Sequence, residues 1–417
     1  MGIVTMTPAA PAEKARLAFS YVSFRFFWLT TLSVSFAVQI MSVSIAWQVY
    51  DVTSEPFLLG LVGLCLFLPA LVLILVTGLV ADRFNRRMIM AICLVVELGC
   101  ALGFLVFAQA QAHEIWPIFG ILVCLGIARA FWNPAASSLA PNLVPPEALS
   151  NAITVNASAW QFSSIVGPAI GGLLYGIAPT VAFATAGALL VFAFCCVLFI
   201  PKPAKRSSHQ ATSLDTMLAG FRYIFSNKVV LGAISLDMFA VLMGGAVALL
   251  PIYAKDILHA GPQELGMLRA APGAGAIVMA ICLTRFPIRD HAGKTLFVFV
   301  GLFGAFTVLF GFSSSVWLSI PALALVGAAD MVSVTIRETI MQLWTPEEVR
   351  GRVNAVNSVF IGASNELGEF RAGTVAHFLG PVPAVVLGGF GAVAVAVIWS
   401  QVFPQLREQR VLDKKMA

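Results

Sequence analysis

Apolar residues run through this chain in long tracts, each ended by a short polar or charged break. A window of about 19 residues marks tracts long enough to cross roughly 30 Å of hydrocarbon as helices. Twelve are predicted, at about 26–50, 57–80, 88–110, 115–139, 151–176, 178–200, 229–254, 263–286, 294–312, 316–341, 352–378 and 382–403. Each is expected to be helical, because hydrocarbon cannot satisfy a free backbone N–H or C=O. The predicted fold class is an all-α membrane protein of twelve transmembrane helices.

Composition removes the main alternative. Of 417 residues, 59% are hydrophobic and only 11% charged, with a mean hydropathy of +0.92. A soluble domain carries about 25% charged residues, so this chain lacks the polar surface that a soluble fold of its length needs. Residues 1–25 hold Glu13, Lys14, Arg16 and Arg25, and the apolar run behind them is too long for the core of a cleaved signal. The seven cysteines, Cys65, Cys93, Cys100, Cys124, Cys195, Cys196 and Cys282, all fall inside predicted spans without a CxxC pair. The five histidines are scattered. No disulfide framework, metal site or cofactor is expected.

Basic residues set the expected orientation. Lys14, Arg16 and Arg25 precede the first span, and Arg83, Arg86 and Arg87 join the second to the third. Lys202, Lys205, Arg206, Arg222 and Lys228 fill the middle segment, with Arg285, Arg289, Lys294, Arg350 and Arg352 on later breaks of the same side. Arg407, Arg410, Lys414 and Lys415 end the chain, whereas the opposite side offers Lys255 and Arg269. By the positive-inside rule both termini are cytoplasmic, in a cell (inner or plasma) membrane. The net charge of +5 then reflects anionic lipid and the membrane potential, not nucleic acid.

The chain also divides in two. "PKPAKRSSHQATS", residues 201–213, is a long polar stretch between spans, and "LDTMLAGFRYIFSN" after it could lie on the membrane surface as an amphipathic helix. The expected division is about 1–25 for a tail, 26–200 for a first six-helix bundle, 201–228 for a linker, 229–403 for a second bundle and 404–417 for a tail. Pro146-Glu147 and Pro346-Glu347 recur at matching places, each between the fourth and fifth spans of its half. Both read as proline-initiated helix starts with an acid in the first turn. Parallel halves of six spans are an architecture of secondary transporters.

Two motifs carry a resemblance. "GLVADRFNRR", from Gly78 through Asp82, Arg83 and the pair Arg86–Arg87, resembles the signature between the second and third spans of the major facilitator superfamily. Asn85 stands where the signature has a second glycine; asparagine also tolerates left-handed backbone. The second half keeps only a degenerate copy, "RFPIRDHAGK". "SSIVGPAIGG" in span five resembles the Gly-Pro-x-x-Gly-Gly pattern of exporters in that superfamily, with Ser163 for its leading glycine. There Gly167, Gly171 and Gly172 would admit a neighbouring helix and Pro168 would bend the span; ordinary small-residue packing is the plainer reading. "LGMLRAAPGAGAIVMA", "RGRVNAVNSVFIGASNELGEF" and "GFRYIFSNKVVLGAI" look like the exporter subgroup that contains enterobactin and macrolide efflux proteins.

Charge inside a span costs roughly 2.5–3.5 kcal/mol at the bilayer centre, so each such group is a functional candidate. These are Glu97, Arg129, Asp237, Asp330, Glu366, Glu369 and Arg371. Glu366 and Glu369 are three apart and share a helix face; neighbouring carboxylates repel, and one proton between them relieves this. A buried Glu–Arg pair locking two helices is the structural alternative. The resemblance implies that spans one, four, seven and ten line a central cavity, which would hold Arg129, Asp237 and Asp330. With Glu366 and Glu369, these are the candidates for proton coupling. Glu97, on a supporting span, reads as a structural partner. Gln39, Trp47 and Gln48 of span one and Phe131 and Trp132 of span four are candidate cavity residues. The resemblance also implies a cytoplasmic gate in which Asp82 meets the start of span eleven near Arg352. Arg83, Arg86 and Arg87 would bind acids or lipid headgroups.

The function expected is proton-coupled export of small amphipathic organic molecules, drug-like compounds or siderophores, by alternating access, with the chain acting as a monomer. A lipid or lysolipid translocator on the same fold is the alternative, and a non-transporting receptor or scaffold a second. Buried carboxylates and Asp82 have little use in a static protein. An enzyme is not expected, because no nucleophile or acid–base constellation emerges. Nor is there a GxxxxGK motif followed by Ser or Thr.

Overall fold

A computed structural model describes residues 17–110, 114–201, 214–288 and 290–410. Among these the chain is helical, in the order α1 (Val22–Thr53), α2 (Pro56–Arg83), α3 (Arg86–Ala110), α4 (Trp116–Leu139), α5 (Leu149–Ile177), α6 (Pro179–Phe199) and α7 (Leu214–Ser226). Then follow α8 (Lys228–Gly244), α9 (Leu250–Ile252), α10 (Pro262–Arg285), α11 (Ala292–Gly311), α12 (Val316–Trp344), α13 (Glu347–Leu379), α14 (Pro381–Val402) and α15 (Pro404–Arg407). A proline in the first turn opens α2, α4, α6, α10 and α14, where its missing N–H costs nothing. Asn227 caps α8 by accepting from the N–H groups of Val229 and Val230.

Among the described residues ten helical segments are long and apolar enough to cross a membrane, α8 and α9 counting as one with the residues around them. The other two predicted spans, α5 and α13, have the length, 29 and 33 residues, but a more polar composition. Both lie where the halves meet. α1 packs on α5 and α6, α3 on α4 and α6, and α2 on α4; α10 packs on α12, α11 on α12 and α14, and α8 on α13 and α14. These are two six-helix bundles, joined along α5–α10 and α2–α13. Since successive spans alternate in direction, α1 begins and α14 finishes at one end, here the terminal end. The other is the far end.

The signature turn is tighter than its sequence implied. α2 continues to Arg83 and α3 begins at Arg86, leaving only Phe84 and Asn85 between them. Asn85 does not use left-handed backbone: its Oδ1 accepts from the Arg87 N–H at 3.1 Å, capping α3, whereas Ser54, His259 and His291 are the non-glycine residues with positive φ among those described. The linker helix α7 lies on α13 and α8. Ile224 is buried there, and the Tyr223 hydroxyl donates to the Trp344 carbonyl.

Candidate functional site

The α2–α13 seam sets the site. Gly60 and Gly373 face each other with no side chain between them, and a methyl at Gly60 would lie 3.2 Å from the Gly373 Cα. One turn along, a methyl at Gly63 would lie 2.8 Å from Oε2 of Glu366 and 3.1 Å from Oε2 of Glu369. Both carboxylates of α13 therefore press on the bare backbone of the opposite half. Arg129 from α4 and Arg269 from α10 line the same small cavity, about 110 Å³, with Ser42, Leu59, Leu66 and Ala248. Arg269 donates to Ser42 Oγ at 2.8 Å across the halves, and its charge faces Glu369 and Glu366. The Arg129 charge faces Glu97 and Glu366. Two cations thus stand around two carboxylates at the junction, inside the fold.

A break in span seven makes room for this. α8 stops at Gly244, and a methyl at Gly245 would lie 2.6 Å from the Gly368 carbonyl oxygen of α13. Helix ends leave carbonyls without partners, and Arg371 supplies them: its Nε donates to Leu242 O at 2.9 Å and its Nη2 to Met243 O. Arg371 therefore holds the broken end of α8 against α13 and is not the partner of Glu369.

Asp237 and Asp330 do not join the junction cluster. Asp237 of α8 pairs with Arg337 of α12 at 2.6 Å, both nearly buried, and Asp330 and Glu338 feel the Arg337 charge. This is a second acidic group, within the second bundle.

A larger cavity, about 440 Å³, occupies the terminal half of the first bundle. Gln39 and Trp132 line it, together with Phe27, Trp160, Asn156 and Glu97, and Arg129 stands between it and the junction. Trp47 and Gln48 lie buried in α1 outside both cavities, and Phe131 packs on the core.

The glycine motif of α5 is a gasket between α1 and α10. A methyl at Gly167 would lie 2.6 Å from the Gln39 Cβ, one at Gly171 3.0 Å from the Ile40 Cα, and one at Gly172 2.8 Å from the Gly266 Cα. Gly266 in turn approaches the Pro168 carbonyl oxygen, 2.6 Å from where its own methyl would stand. Polar contacts close the far end as well. Lys255 meets Asp51 at 2.5 Å, Tyr50 donates to Asp256, and His377 lies 3.3 Å from Glu55. Of the expected terminal-end gate, Gly78 lies in the last turns of α2, Arg83 is exposed, and Arg87 donates to the Leu198 carbonyl. The backbone of Arg352 packs under Gly220 of α7. The side chain of Asp82 lies outside the described residues.

Arg269 and Arg337 were not among the sequence candidates. Arg269, near the opposite face by sequence, lies about two turns into α10 and turns inward to the junction. Arg337 stands in "TIRETI", a charged interruption late in span ten whose proximity to Glu338 masks it as a loop approach. Each has a signal, a lone cation within a predicted span, but not a partner that sequence could name. Among the described residues no group of three or more His, Cys, Asp or Glu could hold a metal ion.

Comparison with known proteins adds an independent line. The family described as transmembrane secretion effector matches residues 15–415. The chain is 26% identical over 400 residues to the enterobactin exporter EntS of Shigella boydii, covering 94% of each protein. It is 28% identical over 412 residues to EntS of Escherichia coli, covering 96% of this chain and 94% of that one. Among solved structures, a bacterial homolog of the human lysosomal transporter Spinster, inward-facing and unoccupied, superposes with a TM-score of 0.71 at 15% identity, over 93% of this chain and 96% of that one. A bacterial homologue of the iron transporter ferroportin, also inward-facing, gives 0.67 at 15% identity over 93% and 99%.

Proposed function

Because the chain belongs to the transmembrane secretion effector family of the major facilitator superfamily, and so to efflux transporters rather than enzymes, we propose that it exports a small amphipathic molecule, of siderophore type as in its named relatives, against proton entry. Both termini face the cytoplasm of the inner membrane, so the far end is the outer side and the closed far end makes this the inward-facing state. The observation that carries the reading is the pair Glu366 and Glu369 set on Gly63 at the junction of the halves.

The chemistry follows from desolvation. Closing the far end removes these carboxylates from outer water and places them against backbone. A buried charge in a span costs roughly 2.5–3.5 kcal/mol, so a proton on one carboxylate favours closure. Once the terminal end is open, cytoplasmic water reaching the junction, added to the charges of Arg129 and Arg269, favours the ionised pair, and the proton leaves to the cytoplasm. Ionised carboxylates and bound substrate then favour reopening outward. A tenfold proton gradient supplies about 1.4 kcal/mol and 100 mV about 2.3 kcal/mol per charge, enough to drive such a cycle. Closing the cytoplasmic end would bring Asp82 to the start of α13 near Arg352, with Arg83, Arg86 and Arg87 on acids or lipid headgroups. One chain contains every part named, so a monomer suffices.

The test is transport in proteoliposomes with an imposed pH gradient, using enterobactin and a cationic dye such as ethidium as cargo. Wild type should move cargo against its gradient, and Glu366→Gln or Glu369→Gln should exchange cargo while losing the link to protons. Full coupling in both variants would remove the proton site from this pair. Movement of labelled lysolipid in place of either cargo would make the protein a lipid translocator.

A further inference from the structure

The 440 Å³ cavity of the first bundle is lined by residues with buried polar atoms that no hydrogen bond in the protein satisfies. Both carboxylate oxygens of Glu97 are buried without a hydrogen-bond partner, as are Oδ1 of Asn156 and Nε of Arg129. Glu97 is 1% exposed and comes from α3, whereas the other walls belong to α1, α4 and α5. An unpaired buried polar atom is costly, the more so when charged, and a ligand that supplies its partner removes that cost. Three of these buried atoms, the two Glu97 oxygens and Asn156 Oδ1, are acceptors, and each is completed by a ligand that brings an N–H or O–H. Around these groups stand Phe27, Trp132 and Trp160, whose faces favour flat rings and cations. The volume lies within the roughly 300–1,000 Å³ of small-molecule pockets.

We propose that this cavity binds an aromatic compound through an N–H or O–H donor delivered to Glu97 and Asn156, with the ring between Trp132 and Trp160. Glu97 is then a ligand-binding residue and not merely a partner of Arg129. The inference names the substrate class for the export reading and rests on that reading for its physiological meaning. Arg129 belongs to both cavities, so a ligand on Glu97 changes the balance of charge that Arg129 presents to Glu366.

Binding needs no gradient and is measured on the purified full chain in detergent by equilibrium dialysis against protein-free micelles. The probes are naphthol, naphthylmethylamine and methylnaphthalene, which share a ring system and differ in the donor. At least one donor-bearing probe should bind tenfold or more tightly than methylnaphthalene, and Glu97→Ala should erase that preference. Glu97→Gln tells the heads apart: it keeps an acceptor for naphthol and loses the charge that an ammonium needs. Should Glu97→Ala not fold, Asn156→Leu carries the test, with a loss of preference again expected. Equal binding of all three probes to wild type overturns the proposal. So does a preference that survives in folded Glu97→Gln and Asn156→Leu for both donor probes, which would leave Glu97 a structural partner. A protein that selects donors yet moves no cargo in liposomes would retain this site and lose the exporter reading, so the two fail separately.

Discussion

Gly172→Ala should open the far end without touching a charge. The added methyl would stand 2.8 Å from Gly266 Cα and 2.9 Å from Gly266 N, with the Pro262 carbonyl oxygen nearer still. Carbon atoms rest about 3.5–4.0 Å apart, so α5 and α10 must separate by about 0.7 Å or more. No flexible side chain can yield in their place, because every one of these contacts is backbone. Overpacking of this kind costs about 1–3 kcal/mol. The cost falls only on the state in which α5 and α10 touch at the far end, so the far-open population should rise about 5–150-fold relative to the closed one. Pulsed electron paramagnetic resonance reads this between spin labels at Trp116 and Trp317, which are exposed at the far-end starts of α4 and α12, in a cysteine-free background. The distance distribution should gain a longer component. Gly301→Ala, whose methyl meets nothing within 4 Å, should leave it unchanged. A Gly172→Ala protein that folds and keeps the wild-type distribution would refute the idea that this crossing holds the far end shut.

Two further outcomes separate buried from exposed charge. Asp237→Ala alone should destabilise the protein by about 3–5 kcal/mol, because Arg337 is left charged and buried, whereas Asp237→Leu with Arg337→Met should cost far less; thermal unfolding in detergent compares them, and equal losses would mean that the pair is not a closed unit. Lys255→Ala should change the far-open population only a few-fold, since Lys255 and Asp51 are exposed by 34% and 52% and such pairs contribute about 0–1 kcal/mol. A change as large as that of Gly172→Ala would place the lock in the ion pair and not in the glycine crossing.

Much of the fold was legible because lipid imposes one rule on the whole chain. Apolar tracts of spanning length must be helices, and proline starts such as Pro56, Pro179 and Pro381 mark their ends. The polar linker and the paired Pro146 and Pro346 divide the spans. Gly167, Gly171 and Gly172 read as close-packing positions, and the helices they admit, α1 and α10, are a matter of tertiary structure. Glu366 and Glu369 were legible as neighbours on one helix face, since three residues nearly complete a turn.

What the sequence by itself determined is therefore local: which tracts are helices, where they break, and some of the charges that lie inside, Arg269 and Arg337 not among them. Only the tertiary structure decided the pairings. Arg269 bonds to Ser42 and shares the junction cavity with Glu366 and Glu369, Arg337 takes Asp237 away from the junction, Arg371 closes the broken end of α8, and Glu97 lines a cavity. The physical reason is that a buried charge announces itself by its cost in its own helix, while the group that meets that cost comes from another helix. Its place depends on how small residues such as Gly63, Gly172 and Gly368 let the backbones approach, and that distance is a property of the packed whole.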